Sequence, residues 1–143
     1  MKQKNSRKAL LVLGVVTVVI SVIFLLFAVF FLVVFLYVHQ NPDPADPDYE
    51  LAMVGLGIFA GMLLVCGMFN LFEGIFALRV AKDKGSILAL WRFSIIGFLV
   101  NALVLLFNLT RDGPATGPVV GFLLNTVIFL QSTKILRQKE NKP

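Results

Sequence analysis

One cysteine and one histidine are all that this chain offers for thiolate or imidazole chemistry. A lone cysteine closes no disulfide within the chain and builds no thiolate metal site. Cys66 lies in an apolar stretch, where a buried, inert thiol is the expected state. A lone histidine, His39, excludes a histidine pair at metal-ligand spacing, and any His-based triad would have to assemble at the rim of the first apolar stretch. Acid is scarce as well, with 8 Asp and Glu against 13 Lys and Arg. No glycine-rich phosphate loop follows a strand pattern. Polar surface is the largest deficit: 15% of residues are charged, 58% are hydrophobic, and the mean hydropathy is +0.88. A soluble domain of 143 residues cannot hide that much apolar surface, so the expected solvent is a bilayer.

What the chain has in quantity is long apolar runs. A helix crosses a hydrocarbon core of ~30 Å with ~20 apolar residues. Four stretches have that length or come close, at about 10–38, 51–78, 87–108 and 118–135. They fill most of the chain, which predicts one all-α domain, a four-transmembrane-helix antiparallel bundle over 1–143. The leading MKQKNSRK resembles the basic start of a signal peptide. The run after it is far longer than a signal peptide's ~7 to 15 apolar residues, so a retained anchor is expected.

Positive charge sets the orientation, because basic loops resist translocation. Lys2, Lys4, Arg7 and Lys8, then Arg79, Lys82 and Lys84, then Lys134, Arg137, Lys139 and Lys142 all fall on one side of the four spans. Arg111, beside Asp112, stands alone on the other. Both termini are therefore expected in the cytoplasm. The net charge of +5 is then a topology signal, with attraction to anionic lipid as an addition, and implies no nucleic acid. Of the two outer loops, NPDPADPDYE alternates proline with acid and predicts an extended, solvated spacer. It lacks the glycine turn and bidentate glutamate of a calcium loop. The other outer loop holds Gly113, Pro114, Gly117 and Pro118, with Pro118 placed for the first turn of the fourth helix. Asn108-Leu109-Thr110 fits a glycosylation sequon, which matters only in a eukaryotic secretory pathway.

Inside the spans, small and polar residues mark where helices meet. Gly57, Gly61, Gly67 and Gly74 lie near one face of the second helix, and small residues let backbones approach where lipid removes the hydrophobic drive. The second helix is therefore expected at the centre of the bundle. The loop between the second and third spans is centred between Lys82 and Asp83, which puts Glu73 and Arg92 at equal depth. A structural ion pair is expected there, against the alternative that both side chains snorkel to the interface with Trp91 at the headgroup level. By the same reckoning about Gly113, Asn101 and Asn125 stand at equal depth, each closing a matching pentapeptide, GFLVN and GFLLN. An interhelical amide contact between them is expected, as glue or as the polar lining of a path.

Function is less legible. Asn70-Leu71-Phe72-Glu73 resembles the N-x-x-E of four-helix glutathione and eicosanoid membrane enzymes, without that family's accompanying arginines in the same helix. Small multidrug exporters share the four spans and an embedded glutamate, but theirs is in the first helix. EGIFALRVAKDKGSILALWRFSIIG, residues 73–97, resembles a hairpin of small uncharacterised bacterial four-span membrane proteins. That resemblance implies a bacterial inner membrane and no catalytic residue. No enzyme, cofactor or metal is expected. The expected role is a non-catalytic packing or partner subunit in contact with lipid and with a membrane protein or further copies of itself. The alternative is a small proton-coupled transporter or channel component using Glu73.

Overall fold

The computed structural model describes residues 2–42, 47–110 and 116–140. Four helices make up nearly all of them: α1 is Lys2–Gln40, α2 is Tyr49–Ala81, α3 is Ile87–Thr110 and α4 is Thr116–Glu140. Each contains a segment long and apolar enough to cross a membrane. The differences from the expected spans are at the ends. Nothing in KQKNSRK breaks a helix, so α1 starts at Lys2 and not near Leu10. Tyr49 and Glu50 of the acidic loop already belong to α2, with Glu50 in the first turn, where the helix dipole favours an acid. The Tyr49 hydroxyl donates to the Val38 carbonyl at 2.9 Å and ties the start of α2 to the end of α1. Residues 43–46, with Pro44 and two of the loop's aspartates, and residues 111–115, with Arg111, Asp112, Gly113 and Pro114, lie outside the described residues. Because α4 begins at Thr116, Pro118 falls in its first turn, where a missing N–H costs nothing.

The inward face of each helix is narrow. On α3 it is Ile87, Leu90, Ser94, Gly97 and Asn101; on α4 it is Gly121, Asn125, Ile128, Ser132 and Ile135. Steps of three and four residues alternate along both, the seam that keeps two helices in register over several turns. On α1 the buried line runs Leu10, Gly14, Thr17, Ser21 and Ala28. The outward faces carry Leu26, Phe30, Val33, Leu103 and Leu130, large apolar side chains turned away from the other helices. Inside and outside are thus almost equally apolar, and small or polar residues, more than hydrophobicity, distinguish the packed face.

The α1 and α2 helices share the most extensive interface, and glycine sets its spacing. A Cβ on Gly74 would stand 2.8 Å from Val18 Cγ2 and 3.1 Å from the Gly14 carbonyl. One on Gly67 would stand 3.0 Å from Leu25, and one on Gly57 3.2 Å from Phe35. Gly61 departs from the expected packing face: it is exposed, with nothing within 4 Å of an added Cβ. It lies about 120° round the helix from Gly67 and about 140° from Gly74, off the line that packs on α1. Among the described residues α2 touches each of the other helices, whereas α1 and α3 do not meet.

Between α2 and α3 the chain turns through Asp83, whose φ of 59° is left-handed. The Lys84 amide reaches back to the Arg79 carbonyl at 2.8 Å, and Ser86 caps α3 by accepting from the Ala89 amide at 3.3 Å. Asp83 in this turn pairs with Arg7 of α1, a contact that pins the first turns of α1 against the hairpin.

Candidate functional site

The most unusual chemistry in the molecule is buried. Thr17 and Ser21 of α1, Asn70 and Glu73 of α2, Ser94 and Asn101 of α3, and Asn125 and Ser132 of α4 are all at 1% exposure or less. Some settle locally: Ser21 donates to the Thr17 carbonyl at 2.6 Å and Ser94 to the Leu90 carbonyl at 2.9 Å, the four-back bond typical of hydroxyls in helices.

The three amides form a unit. Asn125 Nδ2 donates to Asn70 Oδ1 at 2.8 Å and to the carbonyl of its own Gly121 at 3.0 Å. Asn101 Nδ2 repeats the pattern, reaching the Gly97 carbonyl at 2.9 Å and Asn70 Oδ1 at a longer 3.4 Å. Two amides on two helices thus converge on one acceptor on a third. The glycines make this possible, since a Cβ on Gly97 would collide with the Asn125 amide and one on Gly121 with the Asn101 amide. The matching pentapeptides are therefore one device used twice, in which each asparagine seats against the other helix's glycine. Asn101 and Asn125 are brought together as the sequence suggests, but through Asn70 and not by bonding each other. Opposite Asn101 stands Gly121, a full turn from Asn125, so equal distance in sequence from Gly113 is not equal depth along the two helices.

The sequence singles out Asn70 only in the N-x-x-E with Glu73, and its place at the amide junction is a finding of the structure. Its signal was present: it precedes Glu73 by three positions and Gly74 by four, and so shares their helix face.

Glu73 and Arg92 are not brought together. Glu73 is fully buried, and neither carboxyl oxygen has a protein hydrogen-bond partner. Arg92 is exposed. It sits two residues from both Leu90 and Ser94, about 200° round the helix from the seam. Glu73 faces the seam and Arg92 does not. Trp91, half-buried, instead joins α3 to α4 by donating to Thr133 Oγ1 at 3.0 Å. The side chain beside the Glu73 carboxyl is Ser94, whose hydroxyl is engaged with Leu90.

Comparison with protein-family models, with curated proteins and with solved structures finds no match for this chain. The site must therefore be read from its own chemistry. Among the described residues no three His, Cys, Asp or Glu side chains cluster, so a polyanionic metal centre is not built here. A cleft of about 830 Å³ lies at the end of the molecule where Arg7 and Asp83 pair, with Lys139 on its wall. Its lining does not include Glu73 or the amides. What remains is a carboxyl group in an apolar interior, one turn from a three-amide junction and flanked by hydroxyls.

Proposed function

We propose that this is a non-catalytic integral membrane protein, an antiparallel four-helix bundle with both termini in the cytoplasm, that serves a bacterial inner-membrane assembly as a packing or partner subunit. The observation that carries the reading is the division of labour between faces. The three amides, the seam hydroxyls and the packing glycines Gly14, Gly67, Gly74, Gly97 and Gly121 are turned inward, while the outward faces are apolar over most of each span, a surface suited to lipid and to a neighbouring helix. The basic flanks support the orientation, and the resemblance of residues 73–97 supports the bacterial membrane. Purification of the full chain in mild detergent, with intermembrane-helix crosslinking before extraction, tests the role. A stoichiometric partner or a defined homo-oligomer is expected; a chain that stays monomeric at every concentration, crosslinked to nothing, would count against it.

One observation favours a second reading. Glu73 is buried without Arg92, and an intramembrane acid without a counter-charge is costly unless the protein uses it. On this reading the bundle is a small proton-coupled transporter or channel component that uses Glu73. Uptake driven by an imposed proton gradient in proteoliposomes, lost in Glu73→Gln, is its expected signature.

A further inference from the structure

Four buried oxygens in the seam have no protein hydrogen-bond partner: Thr17 Oγ1, both carboxyl oxygens of Glu73, and Asn125 Oδ1. Among the described residues Asn70 Nδ2 is a seam nitrogen in the same condition, so unpartnered oxygens outnumber unpartnered nitrogens there. The helices bring these atoms to neighbouring levels. Gly74 packs on Val18 and Gly14, which sets Thr17 at the level of Glu73. Ser94 lies beside the Glu73 carboxyl. Asn125 Oδ1 stands at Gly97, one turn along α3 from Ser94. Helices do not collect unpaired oxygens by accident of packing, since each one left without a donor in a dry interior is expensive.

From this arrangement we infer that the seam is a binding site for one dehydrated monovalent cation of the sodium class, held by the Glu73 carboxylate with neutral oxygens of Thr17, Ser94 and Asn125 around it. Hard cations take oxygen ligands of this kind, carboxylate, amide carbonyl and hydroxyl together. The charge count selects a monovalent ion. Glu73 supplies a single negative charge, and among the described residues no cation faces it: Arg79, Arg92, Lys134 and Arg137 are exposed, and Arg7 is paired with Asp83. One bound positive charge leaves the bilayer interior neutral, which a divalent ion would not. The inference deepens the second reading above and rests on it only for the placement of Glu73; binding does not require transport.

The test is thermal unfolding of the full chain in nanodiscs, with sodium chloride titrated against choline chloride at constant ionic strength. A saturable rise in Tm with sodium is expected, since a ligand that binds only the folded state stabilises it in proportion to ln(1 + [L]/Kd). Glu73→Gln should abolish the rise. Should that variant fail to fold, Thr17→Val and Ser94→Ala keep the carboxylate and should each raise the half-saturating sodium concentration several-fold. A Tm that ignores sodium, lithium and potassium would overturn the site. So would a Tm that responds to pH alone, the mark of a bare proton on Glu73. A sodium-dependent Tm with no uptake in proteoliposomes would keep the site and discard the carrier reading.

Discussion

Two glycines on one helix, thirteen positions apart, have opposite fates under the same substitution. Gly74→Ala drives a methyl group into Val18 and the Gly14 carbonyl, and backbone cannot step aside as a side chain can. A loss of about 1–3 kcal/mol is expected from overpacking, read as an earlier midpoint in denaturant titration of the detergent-solubilised protein. Gly61→Ala meets open space, so the same methyl should be neutral or stabilise by up to ~1 kcal/mol through helix propensity. The charged residues divide in the same way. Arg92 is exposed, and Arg92→Gln should change stability by no more than ~0.5 kcal/mol, the usual range for surface sites. Its effect should add to that of Glu73→Gln within ~0.5 kcal/mol, as for residues that share no partner. Coupling well above that value, or rescue by exchanging the two charges, would show that they meet after all.

At the scale of helices, run length made the spans legible, because a continuous apolar stretch of sufficient length has few other uses. Facing was harder to read. In a soluble bundle the buried stripe differs from the wet face in hydrophobicity; here Leu90 looks inward and Leu88 outward, and nothing in their chemistry separates them. Ser94, Gly97 and Asn101 do mark the seam of α3, and extending their rhythm back to Leu90 would have put Arg92 on the outer side. Depth counting from loop centres found the right neighbourhood for Asn101 and Asn125 but missed a one-turn offset that no residue type announces. Asn70 joins three helices, and its replacement should reveal that. Asn70→Leu removes the acceptor shared by Asn101 and Asn125, with an expected cost of ~0.6–2 kcal/mol for each bond lost in an apolar medium. After that change Asn125→Leu should cost less than it does in the native chain, and a double-mutant cycle of unfolding midpoints measures the difference. Strict additivity would mean that the amides do not act as a unit.

For the whole molecule, the contacts leave α1 and α3 apart and bring α2 and α4 across the centre, where Asn70 bonds Asn125. The tie most open to experiment is orientation. Reporter fusions after Pro143 and at Ala45 should fall in opposite compartments, the first in the cytoplasm, and finding both on one side would end the even-span topology. The Asn70 junction also bears on how such a chain is made. Synthesis delivers α1 and α2 first, with an interface of glycine contacts that needs nothing downstream. Until α3 and α4 arrive, Asn70 and Glu73 have no amide or Ser94 to meet and stand bare to lipid or to the insertion machinery. A chain cut after Ala81 should therefore insert poorly, turn over quickly in cells and recover when α3 and α4 are co-expressed as a separate fragment, which pulse-chase labelling would follow. With that outcome the polar seam would act as a checkpoint in biogenesis, by which the membrane distinguishes a half-made protein from a finished one.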